Sequence, residues 1–202
     1  MRKPISDIER RKRRRQRRIQ VVIIYTALAF ALAWFLESQA TTTVIFVRHA
    51  EKAAMPADDP GLSPAGQRRV AELTRQLVDA DVIQGIDAIY STPYRRTEET
   101  VRPVAEALDL PINSYDAADT EAIMEKVVRE HKGKIILVVG HSNTVPALIG
   151  NMGASKRVPE IAENEYDNIY IVSIPWFGKT KTIRLRYGEP YIPEPVVRDS
   201  TD

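Results

Sequence analysis

Apolar positions follow two regimes along this chain. From Ile19 to Leu36, eighteen residues run without a charge (IQVVIIYTALAFALAWFL). At about 1.5 Å per residue a helix of that length reaches about 27 Å, close to the hydrocarbon thickness of a bilayer. Val21 to Leu36 is apolar all round, with no polar face to meet water. After the polar stretch ESQATTT, short β-branched runs alternate with segments whose apolar residues recur every three or four positions, as far as Tyr187. This alternation predicts an α/β domain, a mostly parallel sheet with helices on both faces, preceded by one N-terminal transmembrane helix.

Residues 43–47 (TVIFV) and 134–140 (KIILVVG) lack polar alternation, as strands buried on both faces do. Each ends abruptly in polar residues, Arg48-His49 and His141-Ser142-Asn143. Between them the pattern predicts a helix with Ser63 as N-cap, Pro64 at its first position and Val70, Leu73 and Leu77 inward. A short strand over 88–91 leads through Thr92-Pro93 into a second helix carrying Val101, Val104, Ala105 and Leu108, which Pro103 is expected to kink or to start late. A strand over 111–115 precedes a third helix over 120–131 with Ile123, Met124, Val127 and Val128 inward. A fourth helix starts near Asn143, and residues 168–174 and 182–187 read as strands closing an edge.

Charge divides the chain in the same place. The first twenty residues hold ten Lys or Arg against Asp7 and Glu9, a net of +8, so the remaining 182 sum to −6 although the whole is +2. The basic run from Arg10 to Arg18 precedes the apolar span and Glu37 follows it, which by the positive-inside rule puts the N-terminus in the cytoplasm and the body outside. Trp34 sits near the outer end, as an interfacial anchor does. The expected organisation is a basic cytoplasmic tail (1–18), a transmembrane signal anchor (19–36), a linker (37–43), a folded α/β domain (44–187) and a flexible tail (188–202) with Pro190, Pro193 and Pro195. Other readings of the start are a signal peptide cleaved after Ala40, giving a secreted body, a buried core helix, and a nucleic-acid-binding arm. The apolar span already explains the basic run, so no nucleic-acid partner is expected. With no cysteine, thiolate metal sites, cysteinyl intermediates and disulfides are excluded.

Of the three histidines, His131 lies among Arg129, Glu130 and Lys132 and reads as a solvated surface residue. His49 and His141 each follow a strand of the buried type, where open sheets place ligands. Arg48 precedes the first, and Arg96 follows the strand ending at Ser91. A sheet would gather two guanidiniums and two imidazoles round one crevice, an anion pocket suited to a phosphate ester. Each charge-assisted hydrogen bond to it is worth about 1.5 to 3 kcal/mol. A nucleophilic imidazole must be neutral, and flanking cations lower its pKa from about 6.5.

These residues resemble the motifs of the histidine phosphatase superfamily, which includes the cofactor-dependent phosphoglycerate mutases. Val47-Arg48-His49-Ala50-Glu51-Lys52 is similar to its signature. Ser91 to Thr100 is similar to its second motif, whose spacing selects Arg96 rather than Arg95, and Gly140-His141-Ser142-Asn143 to its third. The resemblance implies a reaction with no metal and no cofactor. In it His49 attacks phosphorus while Arg48, Arg96 and His141 hold the phosphoryl oxygens, and water hydrolyses the phosphohistidine. Ser142 and Asn143, at a helix N-terminus, are candidates for a further anion contact. The acid that protonates the leaving oxygen is Asp119 or Asp116, with Glu121 also following the third strand, and Asp119 has an alternative role as a helix cap. Glu51 reads as a surface or rim residue. Only 44 residues separate Arg96 from His141, shorter than the helical insertion of the mutases, so the chain resembles the compact phosphatase branch, whose open site favours hydrolysis. The substrate implied is a phosphorylated small molecule or a phosphoprotein. The alternatives are a mutase or a non-catalytic phosphate-binding scaffold of the same fold.

Overall fold

The computed structural model describes residues 7–38, 41–79, 85–154 and 158–193, and the chain divides into two compact units, Met1–Ala40 and Thr41–Asp202. The first holds one helix, α1 (Asp7–Ser38). Its segment Arg10–Leu36 is long and apolar enough to cross a membrane, with mean hydropathy 2.2 in its most apolar stretch and none of that stretch buried. A membrane anchor and a signal sequence both fit such a helix. The cleavage position after Ala40 lies outside the described residues.

The body is a six-stranded sheet, β1 (Thr42–Arg48), β2 (Ala88–Ser91), β3 (Ile112–Ser114), β4 (Ile135–Gly140), β5 (Asn168–Ile174) and β6 (Lys181–Arg186), in the order β3-β2-β4-β1-β5-β6. The first four in that order are parallel, β5 runs antiparallel to β1, and β6 is antiparallel to β5. Helices α2 (Pro64–Val78) and α3 (Arg95–Leu108) carry the chain from β1 out to β3, and α4 (Thr120–Glu130) and α5 (Thr144–Asn151) carry it back and on to β5. Right-handed crossovers made in opposite directions put the two pairs on opposite faces. Val44, Phe46, Ile136 and Val138 accordingly pack with Ile123, Val127 and Leu148. Val47, Leu137 and Val139 pack with Leu73, Val101 and Val104. This burial on both faces is why β1 and β4 read as unbroken apolar runs, each such side chain contributing about 1.5 to 3 kcal/mol.

Local signals set the helix ends. Ser63 accepts from the Gly66 amide at 3.1 Å with Pro64 at the first position of α2. Gly66 is required there, because a Cβ would collide with the Glu51 carbonyl. Helix α3 starts at Arg95 with Pro103 inside it, so the proline does not delay its start. The lost amide falls on a part-exposed turn, where water can serve the Glu99 carbonyl.

Three sequence expectations need revision here. Glu51 is not a rim residue: it accepts from Arg69 Nε at 2.8 Å, with side-chain exposures of 22% and 8%. The other Arg69 nitrogens donate to the Tyr187 and Glu189 carbonyls, stapling the end of β6 to α2. His131 is half-buried and not freely solvated, its Nε2 lying 2.9 Å from the Tyr90 hydroxyl. Of the expected flexible tail, residues 188–193 are described, and Tyr191 there donates its amide to Asp167 at 2.9 Å; residues 194–202 lie outside the described residues.

Candidate active site

Register brings the motif residues together. Arg48 pairs with Gly140 across the parallel β1 and β4, so the next residues, His49 and His141, emerge side by side with ring centroids 5.3 Å apart. The connection after β1 leaves over one face and that after β4 over the other, so the pair stands where open sheets form a crevice. Gly140 admits the arrangement because a Cβ there would come within 2.7 Å of Thr144 Oγ1, the atom that accepts the His141 amide at 2.8 Å. Arg48, His49, Arg96 and His141 line one cleft of about 440 Å³, a size that suits a small ligand.

The tautomer of His49 follows from its surroundings. His49 Nδ1 is 2.8 Å from the Ala50 carbonyl, which can only accept, so Nδ1 carries the hydrogen and a neutral ring has its lone pair on Nε2. The ring is 4% exposed. Burial pulls its pKa down to about 3; the Ala50 carbonyl opposes this, and Arg48, His141 and Arg96 add to it. Burial, then Arg96 and Arg48, lower His141 to about 4. Thr97 donates to the Thr92 or Tyr94 carbonyl, leaving its oxygen to accept from Thr92 at 2.9 Å. The Thr92 oxygen then accepts from His141 Nε2 at 3.0 Å, anchoring that ring.

Arg48 is 3% exposed and holds the loop before β5, donating from Nη1 to the Ala162 carbonyl at 2.6 Å and the Glu165 carbonyl at 3.1 Å. Its guanidinium lies 4.2 Å from the Tyr166 ring centre, and Nη2 meets the exposed Glu163 carboxylate at 3.4 Å. Arg96 stacks at 4.5 Å on Tyr94, with Asp59 4.0 Å from Nη1. The same Asp59 carboxylate accepts the Arg95 amide and so caps α3 from a distant loop. Arg95 itself points away to pair with Glu99 at 3.2 Å. Ser142, Asn143 and Asp116 line the cleft; Asp119 does not. It caps α4 by accepting the Ala122 amide at 3.0 Å, and Glu121 stands exposed in the first turn of that helix. Lys52, Tyr94 and Glu163 also line the cleft, and no local spacing marked them, because each is delivered by a loop whose position depends on tertiary contacts.

The two neutral imidazoles make acid a destabiliser. An imidazole free in the unfolded chain binds its proton near pH 6.5, whereas His49 and His141 resist until about 3 and 4. Between those limits the unfolded state holds more protons, so stability falls as pH drops from about 6.5 toward 3. Melting temperature measured from pH 7 to pH 4 should decline less steeply in His141→Ala than in the parent; parallel curves would contradict the burial of a neutral His141.

Residues 44–119 match the histidine phosphatase superfamily (branch 1). The fold is similar to that of the protein histidine phosphatase SixA complexed with tungstate, at TM-score 0.57 and 20% identity over 71% of this chain and 96% of that one. It is also similar to the putative phosphohistidine phosphatase SixA from Agrobacterium tumefaciens, at 0.53 and 21% over 74% and 99%. For a phosphoglycerate mutase from Bacillus anthracis str. Sterne the values are 0.54 and 15% over 74% and 94%. No curated protein matches the sequence. The body has the phosphoglycerate mutase-like fold, and the match to the histidine phosphatase superfamily falls within it, over residues 44–119.

Proposed function

We propose that this chain is a membrane-anchored phosphatase that hydrolyses a phosphomonoester through a phosphohistidine on His49, without metal or cofactor. The observation that carries this reading is the neutral His49 ring, its Nδ1 hydrogen committed to the Ala50 carbonyl, in one cleft with Arg48, Arg96 and His141. The Nε2 lone pair attacks phosphorus as the bond to the leaving oxygen breaks, and that oxygen takes a proton from a carboxyl group. Asp116 is the sequence candidate that lines the cleft, whereas Asp119 is committed to its helix. Water then attacks the phosphohistidine and returns a proton to the carboxylate, the P–N bond breaks, and inorganic phosphate leaves. The cations carry the charge that accumulates on the equatorial oxygens.

The substrate is a phosphorylated small molecule or a phosphoprotein, and the fold likeness to a protein histidine phosphatase makes protein phosphohistidine, whose leaving atom is a nitrogen instead of an ester oxygen, a further substrate to test. The apolar segment of α1 with the arginine run before it supports a single-pass anchor with the N-terminus cytoplasmic and the body outside. Detergent-solubilised full-length protein should hydrolyse p-nitrophenyl phosphate in excess EDTA at an undiminished rate. A folded, phosphate-binding protein with no turnover on any phosphomonoester would instead favour the non-catalytic scaffold.

A further inference from the structure

The turn between β5 and β6 holds Trp176 and Phe177 out into solvent, 64% and 89% exposed. Exposed Lys179 and Lys181 follow them, and no carboxylate occurs between Asp167 and Glu189. Isolated apolar residues on a surface are ordinary, but two large adjacent aromatics at the tip of a hairpin with basic flanks form a contact surface. Two side chains are too few to anchor the roughly 800 Å² that each partner buries in a stable protein complex. A ring that is apolar in body and polar at one edge, beside lysines, suits the boundary of an anionic bilayer.

Register locates the tip. Thr42 pairs with Ile174, and Lys181 with Ser173, so the turn lies at the end of the sheet where β1 begins. In sequence, Thr42 stands six residues after Leu36, the last residue of the apolar span. His49 follows the other end of β1, about 20 Å along the strand. We propose that Trp176 and Phe177 insert into the interfacial layer of the membrane, with Lys179 and Lys181 at the lipid phosphates. The inference rests on the anchor reading of α1. It adds that the body stands on the bilayer at this tip, with the histidine cleft at the end of the sheet facing the aqueous phase.

The chain has two tryptophans, Trp34 and Trp176, so single substitutions separate the two contacts. Full-length Trp34→Phe and Trp176→Phe are reconstituted in phosphatidylglycerol-containing vesicles with a bromine or nitroxide quencher high on the acyl chain. Trp176, alone in the first variant, should emit blue-shifted and be quenched by the lipid. Trp34, alone in the second, reports the anchor. Quenched Trp34 with unquenched, water-like Trp176 overturns the tip contact and leaves the anchor standing; neither quenched overturns both. A blue-shifted Trp176 that tracks protein density and ignores the quencher marks a second copy of the chain, and equally overturns the proposal. Adding Phe177→Asp, or replacing Lys179 and Lys181 by Glu, should cut the Trp176 quenching by about twofold or more while hydrolysis of p-nitrophenyl phosphate stays unchanged.

Discussion

His49→Ala should abolish hydrolysis of p-nitrophenyl phosphate, a fall on the order of 10⁴-fold or more, because it removes the lone pair proposed to form the covalent intermediate. His141 lies nearby, but its Nε2 is engaged with Thr92, which holds the ring in place. The substitution opens space beside the cleft that water fills, so the variant should fold; losing a buried neutral imidazole also relieves acid destabilisation. Rapid acid-free quenching of the parent with labelled substrate should trap a phosphoryl group on protein that is stable in alkali and lost in acid, and the variant should trap none. Turnover or label retained in His49→Ala overturns the mechanism.

Arg96→Ala should lower kcat by about 10²- to 10³-fold, the loss expected when one preorganised group facing developing charge is removed. Arg96→Lys should recover only part of this, since an ammonium keeps the charge but loses the planar fork. The fold should survive, because Asp59 caps α3 through the Arg95 amide rather than through the Arg96 side chain. The neighbouring Arg95→Ala is the internal control. Its guanidinium is exposed and paired with Glu99, so stability should change by no more than about 1 kcal/mol and kcat should hardly change. Equal losses in the two alanine variants would mean that the spacing selected the wrong arginine. Vanadate or phosphate should raise the melting temperature of the parent, by mass action on an occupied site, and much less that of Arg96→Ala.

What could be read from the residues alone was whatever physical chemistry settles within a few positions. Burial on both faces makes β1 and β4 continuous apolar runs, and their expected limits of 43–47 and 134–140 lie within a residue of Thr42–Arg48 and Ile135–Gly140. Ser63 and Pro64 mark the start of α2 because a cap satisfies an amide three residues on. An apolar run of eighteen residues behind nine mostly basic ones is likewise complete in the sequence. Arg48, His49, Arg96 and His141, four of the charged or imidazole side chains that line the cleft, were legible through their place at strand ends and in spaced motifs.

Tertiary structure decided the rest, because those features depend on chain segments distant in sequence. Alignment of Arg48 with Gly140 sets the two imidazoles side by side. Asp59 reaches α3 and Arg96 from a loop 36 residues before the amide it accepts. Glu163 and Tyr166 meet Arg48 only because β5 pairs antiparallel with β1 and returns its preceding loop to the cleft. The same pairing carries Trp176 and Phe177 to the end of the sheet opposite the histidines, while the return of α2 half-buries Glu51 against Arg69. Spacing along a strand or helix is a property of one segment, whereas register between segments is chosen by packing and closure of the whole sheet.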